Sequence, residues 1–201
     1  NIFLIVILVA SFWFIRRQLT KGDFAHRTIK YMFMLAGLLL TADAIMRLNH
    51  VAGVYNDIIC KIMITLGTTF LPFLGLLWFM YTCYATKANI RLWIVYLTAG
   101  IFFVVNSVLA IFSIIPGYDI YYTLSDHQLH FGTYYFIYTI ILLIPFFASL
   151  IIVFARWNIM HRRRNPFTFF NFSLIPIIAI IAQHFFAGYS LALMGVVASF
   201  I

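Results

Sequence analysis

Charge is scarce in this chain. Charged residues make up 9% of its 201 positions, and only five of them are acidic. An ordinary soluble domain carries about 25% charged residues, so a soluble globular surface is excluded. Cysteine is nearly absent. Cys60 and Cys83 fall near opposite ends of one expected helix, about 35 Å apart at 1.5 Å rise per residue. They cannot be bridged to each other, and they say nothing about redox compartment. No His, Cys or Asp spacing in the helices fits a metal site, and no cofactor is expected. A Ser–His–Asp constellation is also missing from the helices, which argues against a membrane-embedded enzyme. The last apolar run, Gly188–Ile201, has no lysine and so offers no Schiff-base anchor for a retinal-type photoreceptor.

What the chain has is apolar length. Hydrophobic residues are 65% of it, which points to an all-α integral membrane protein. Seven apolar segments can be read from length and charge: Asn1–Ile15, Thr28–Leu48, Ile58–Ala85, Leu92–Ile115, Thr133–Trp157, Phe169–Ala187, and a run from Leu191 onward. The expected architecture is an up-down seven-transmembrane helix bundle in one domain, 1–201. The first run reaches Arg16 and Arg17 after 15 residues, short of the roughly 20 a span needs. The first and last helices are therefore expected to be truncated. Pro72, Pro145 and Pro176 fall inside expected helices, where neighbouring groups must satisfy the backbone that proline frees.

Basic residues orient the bundle. Of the thirteen Lys and Arg, eleven lie in or beside the loops after the first, third and fifth segments, including Arg162, Arg163 and Arg164. Only Arg47 and Lys61 lie on the other side. Basic loops stay in the cytoplasm, so the N-terminus is expected outside, in a multi-pass protein of the plasma membrane. The net charge of +8 is then accounted for by topology and anionic headgroups. The lipid bilayer is the expected partner, and no nucleic acid is needed.

This orientation sets the depth of the polar residues. Asp43 and Arg47 sit four apart near the outer end of the second segment, on one helical face. A carboxylate at membrane depth costs roughly 2.5–3.5 kcal/mol on insertion scales, so a pair is expected, either structural or ligand-binding. Thr69, Asn106, Tyr138, Gln183 and His184 fall at comparable outer depth. Polar groups facing lipid go unsatisfied, so these are expected to face the bundle axis and line a cavity open to the outside for a small extracellular ligand. Interhelical hydrogen bonding is the alternative role for them. The stretch Tyr118–Gly132 alternates apolar and polar residues around Ser125–Asp126. That is a hairpin pattern, with strands at Tyr118–Leu124 and Gln128–Phe131. It lies between the fourth and fifth helices on the extracellular side, where Tyr118, Asp119, Tyr121 and His130 would form a lid. An exposed His pair such as His127 and His130 is not by itself a metal site.

Three stretches carry a family resemblance: LLLTADAIMRL with Asp43, TFLPFLGLLWFMYTCY with Pro72, Trp78, Tyr81 and Tyr84, and IPIIAIIAQHFFAGYSL with Pro176, Gln183, Gly188 and Ser190. With the outer hairpin, they make the chain similar to the seven-helix N-terminal membrane sensor region of bacterial GGDEF (diguanylate cyclase) proteins, related to that of some histidine kinases. The resemblance implies a sensor whose cytoplasmic output domain follows the seventh helix, with any homodimer formed through that domain. No catalytic residue is implied in this stretch. The competing class is a small-molecule or ion transporter or channel, with the prolines marking broken helices. Against it stand the lack of a visible inverted repeat and an inner half poor in polar residues.

Overall fold

The computed structural model describes residues 24–51, 56–88, 92–115, 117–125, 128–158, 166–185 and 191–199. The first apolar run, the Arg162–Arg164 loop, Asp126, His127, Gly188 and Ser190 lie outside the described residues. Six helices and two short strands follow in order: α1 (Phe24–Val51), α2 (Asp57–Ala85), α3 (Leu92–Phe112), β1 (Tyr122–Ser125), β2 (Gln128–Phe131), α4 (Tyr135–Ala155), α5 (Pro166–Phe185) and α6 (Leu191–Ser199). Four of these helices, α1, α2, α4 and α5, contain stretches long and apolar enough to cross a membrane. α3 also carries an apolar stretch, Leu97–Phe112 among the described residues.

Local chemistry sets the helix ends. At the start of α2, the Asn56 side chain accepts from the Ile58 and Ile59 amides at 3.0 and 3.3 Å, satisfying two donors that the helix cannot. Asn49 of α1 grips the same residue through its backbone, donating to Asn56 O at 3.1 Å and accepting from Asn56 N at 3.3 Å. Pro166 opens α5, where its missing amide costs nothing and its fixed φ suits the first turn. That places the helix start three residues earlier than the apolar run alone indicates. The expected fourth helix ran to Ile115, but α3 stops at Phe112. Ser113 then turns its hydroxyl to other work, accepting from the Tyr121 amide at 3.0 Å.

α2 is the hub of the bundle. It packs against α1, α3 and α4, while α4 packs on α5 and α5 on α6. Trp78 of α2 is buried, donates from Nε1 to Ser173 Oγ of α5 at 2.9 Å, and stacks on Phe172 with ring centroids 3.6 Å apart. On the outside, Ile101, Val104, Val105 and Val108 of α3 and Ile151 and Phe154 of α4 are exposed. Rows of exposed aliphatic and aromatic side chains suit hydrocarbon and not water.

β1 and β2 pair antiparallel, with Tyr122 opposite Phe131 and Thr123 opposite His130. The first strand is shorter than the alternation indicates, beginning at Tyr122 and not Tyr118. The three carbonyls before it are used differently. Asp119 O, Ile120 O and Tyr121 O accept from the amides of Thr133, Tyr134 and Gly132 at 2.8–2.9 Å. This crossing is tight enough to demand glycine, since a Cβ on Gly132 would lie 2.6 Å from Asp119 O.

Candidate functional site

The crossing of the strand segment over the helices roofs a cavity of about 140 Å³. Its walls come from α1, α2, α4, α5, α6 and the strand segment. Most of the lining is apolar. The polar exceptions are few and specific.

Asp43 is buried and lines this cavity. Arg47 Nε lies 3.0 Å from its Oδ2, one helical turn on, and the two side chains differ in exposure, 39% for Arg47 against 6% for Asp43. The carboxylate thus faces the interior while the guanidinium reaches outward, as a long cationic side chain does near a membrane surface. Tyr121 is fully buried in the lining, and its hydroxyl has no hydrogen-bond partner among the described residues. Its neighbour Tyr122 is satisfied, with its hydroxyl 2.6 Å from Thr65 Oγ1 on α2. Burial pushes the Tyr121 phenol up to about 12 and raises that of Tyr122, with the Thr65 hydrogen bond opposing the second shift.

On the far wall, Gln183 of α5 uses both ends of its amide. Nε2 donates to the Tyr135 hydroxyl of α4 at 3.0 Å, and Oε1 accepts from the Ala192 amide at 2.8 Å. The second contact satisfies an orphan donor in the first turn of α6. Tyr138 is buried between Tyr121 and Tyr135, with 5.5 Å between ring centroids on each side.

The structure therefore brings Asp43, Tyr121, Tyr138 and Gln183 to one cavity, with Arg47 joined to it through Asp43. His184 joins the same group with its ring near-parallel to its neighbours, 6.3 Å from the Phe131 ring and 6.2 Å from the Tyr135 ring between centroids. Thr69 and Asn106 are not brought there. They line a separate cavity of about 270 Å³ between α2, α3 and α4. Of the four expected lid residues, only Tyr121 lines the first cavity. Tyr118 is exposed beside the Phe112 ring, His130 is exposed in β2, and Asp119 is exposed and contributes its backbone carbonyl. Three aromatic residues of the lining, Tyr122, Phe131 and Tyr135, are not among the site residues expected from sequence. The alternation along the strands was the available signal, since Tyr122 and Phe131 are cross-strand partners on one face.

Among the described residues, no three His, Cys, Asp or Glu side chains gather as metal ligands do. The arrangement offers instead an acceptor (Asp43), a donor without a partner (Tyr121) and an aromatic wall. Compared with known proteins, the chain matches no family model, no curated protein and no solved structure.

Proposed function

We propose that the chain is the membrane-embedded sensory module of a signalling protein. It takes a small ligand from the outer side into the cavity beneath the strand pair. In this reading the bundle has seven spans with the N-terminus outside, and the strand pair is extracellular. The signal leaves through the last helix to a cytoplasmic output domain, of the diguanylate cyclase or histidine kinase kind that the sequence resemblance implies. The observation that carries the reading is the presence in one cavity of a buried carboxylate, Asp43, and a fully buried phenol, Tyr121, whose hydroxyl has no partner among the described residues. A buried donor without an acceptor costs about 1–3 kcal/mol, and a ligand acceptor would recover that cost.

The route outward is Gln183. A ligand that moves Tyr135 loosens the hydrogen bond to Gln183 Nε2, and the same amide holds the first turn of α6. Binding is transmitted only if it differs between two arrangements of this contact.

The test has two parts. A reporter fused within 162–165 should read cytoplasmic and one within 122–127 external; the reverse labelling refutes the orientation and the outward cavity. The double substitution Asp43→Asn with Arg47→Gln keeps the shape and removes both charges, so the protein should fold. Loss of the signalling response at near-normal thermal stability supports the ligand role. A normal response leaves Asp43 and Arg47 as packing residues. A parent protein that continues into further spans, without a soluble output domain, favours transport.

A further inference from the structure

The second cavity has its own unanswered group. Proline at 72 has no amide hydrogen, so the Thr68 carbonyl four residues earlier loses its helical donor. Asn106 of α3 replaces it, donating from Nδ2 to Thr68 O at 2.8 Å. That bond settles which way the side-chain amide faces, because the flipped orientation would set two carbonyl oxygens against each other. Asn106 is 1% exposed, and its Oδ1 has no partner among the described residues. It lines the about 270 Å³ cavity between α2, α3 and α4, whose other walls are almost wholly aliphatic and aromatic, Phe73, Phe102, Phe103 and Ile144 among them. For scale, an apolar cavity of about 150 Å³ takes up benzene.

The cavity exists because α3 leans on α2 and barely touches α4. Phe103 meets Phe70 and Phe73 of α2 at 6.0 and 5.1 Å between ring centroids. No comparable aromatic contact joins α3 to α4 among the described residues. Ile144 of α4, which lines the cavity, is exposed. In a bilayer this crevice faces hydrocarbon, where there is no water to satisfy a buried acceptor. Nearly every other part of the lining asks for apolar contact, and Oδ1 asks for one donor.

We propose that this cavity binds an apolar molecule bearing a single hydroxyl group, which donates its hydrogen to Asn106 Oδ1. The site is separate from the one assigned above to the extracellular ligand, and it opens to the lipid phase. Two sources share this chemistry: a membrane lipid with a free hydroxyl, such as a diacylglycerol, and a medium-chain alcohol dissolved in the water phase.

The experiment uses the whole chain in lipid nanodiscs and a medium-chain alkanol carrying an aliphatic diazirine. Photolabelling should fall on peptides containing Phe102, Phe103 or Ile144. The unlabelled alkanol should compete at about tenfold lower concentration than its methyl ether of equal length, because the ether leaves Oδ1 unsatisfied. Ala148→Phe places a ring in the cavity and leaves residue 106 unchanged, and should abolish the labelling. Asn106→Leu should make alkanol and ether equal competitors. The ligand pair is compared on the unaltered protein, so that test stands even where Asn106→Leu fails to fold. Equal competition by alkanol and ether overturns the proposal, as does labelling of Ile101 and Val104 to the same extent as the cavity. Diacylglycerol in the nanodisc reducing the label identifies the bilayer as the source, and indifference to it identifies a solute; both support hydroxyl recognition.

Discussion

Gly195→Ala should destabilise the protein, although the substitution improves helix propensity. Gly195 lies in the buried face of α6. A Cβ built there overlaps the Cβ of Ala179 on α5, and sits 3.4 Å from the Ile175 carbonyl oxygen and 3.6 Å from Pro176 Cα. Two of these three neighbours are backbone, and the third is a methyl fixed to backbone, so no flexible side chain can swing away. Overpacking of this kind costs about 1–3 kcal/mol. Against it, alanine is favoured over glycine in a helix by about 0.8–1.0 kcal/mol. The net expectation is a loss of up to about 2 kcal/mol. Without the contact, the sign reverses and the protein gains about 1 kcal/mol. Ala179→Gly alone should cost about 1 kcal/mol in propensity. Combined, the two substitutions move one methyl from α5 to α6 and should return close to the starting stability. The coupling energy of the cycle is then about 1–3 kcal/mol in favour of the pair, within the range for touching residues. Thermal or denaturant unfolding of the purified protein in one detergent measures all four species. A Gly195→Ala protein more stable than the parent, or simple additivity, would refute the close α5–α6 approach.

Tyr121→Phe removes a buried hydroxyl without a partner, so stability should hold or rise by up to about 1 kcal/mol, while the response to ligand falls if that hydroxyl is the ligand donor; thermal unfolding and output activity are read side by side. Because the folded Tyr121 phenol is raised to about 12 from the ordinary value of 10, its contribution to stability is complete below pH 10 and is lost as pH rises from there through 12; an ultraviolet titration should show a late-ionising tyrosine that Tyr121→Phe deletes. Asn106→Leu should cost about 1–3 kcal/mol by stranding the Thr68 carbonyl, and clearly less in a Pro72→Ala background, where the restored amide takes that carbonyl over; equal costs in both backgrounds would break the link between Pro72 and Asn106. Gly132→Ala should cost at least about 1 kcal/mol and speed hydrogen exchange at the Thr133 and Tyr134 amides; unchanged exchange would contradict the tight crossing.

Some of this was legible in the residues. The (i, i+4) spacing of Asp43 and Arg47 made their pairing readable, because helical geometry alone puts them within reach. Apolar length located the long helices, and alternation located the second strand at Gln128–Phe131. Helix ends were less legible where a single residue sits at the boundary, as Ser113 does after α3 and Pro166 at the start of α5. The division into two cavities was not legible. Depth along a helix does not give the angle around it, so Thr69 and Asn106 shared a level with Asp43 but face another gap. The Asn106 bond to Thr68 was open to sequence in part, since Pro72 announces a freed carbonyl at position 68, but nothing local names the donor from another helix. Alternation puts Tyr118 and Tyr121 on opposite faces of an expected strand but could not tell which of them reaches the cavity, because the chain between them crosses under the amides of 132–134 and is not yet a strand.

The two cavities share one wall. Ile64, Gly67, Thr68 and Leu71 of α2 line the first, and Thr69, Pro72, Phe73 and Leu76 line the second. Leu71 and Pro72 are consecutive, so a single helix presents adjoining residues to opposite gaps. A sideways shift of α2 that widens one gap narrows the other. Two occupants would then oppose each other without meeting. Thermodynamic linkage makes that opposition reciprocal: whatever factor the outer ligand takes from the affinity of the lipid-side molecule, that molecule takes from the affinity of the outer ligand. Membrane composition would in this way set the concentration at which the outer cavity half-fills.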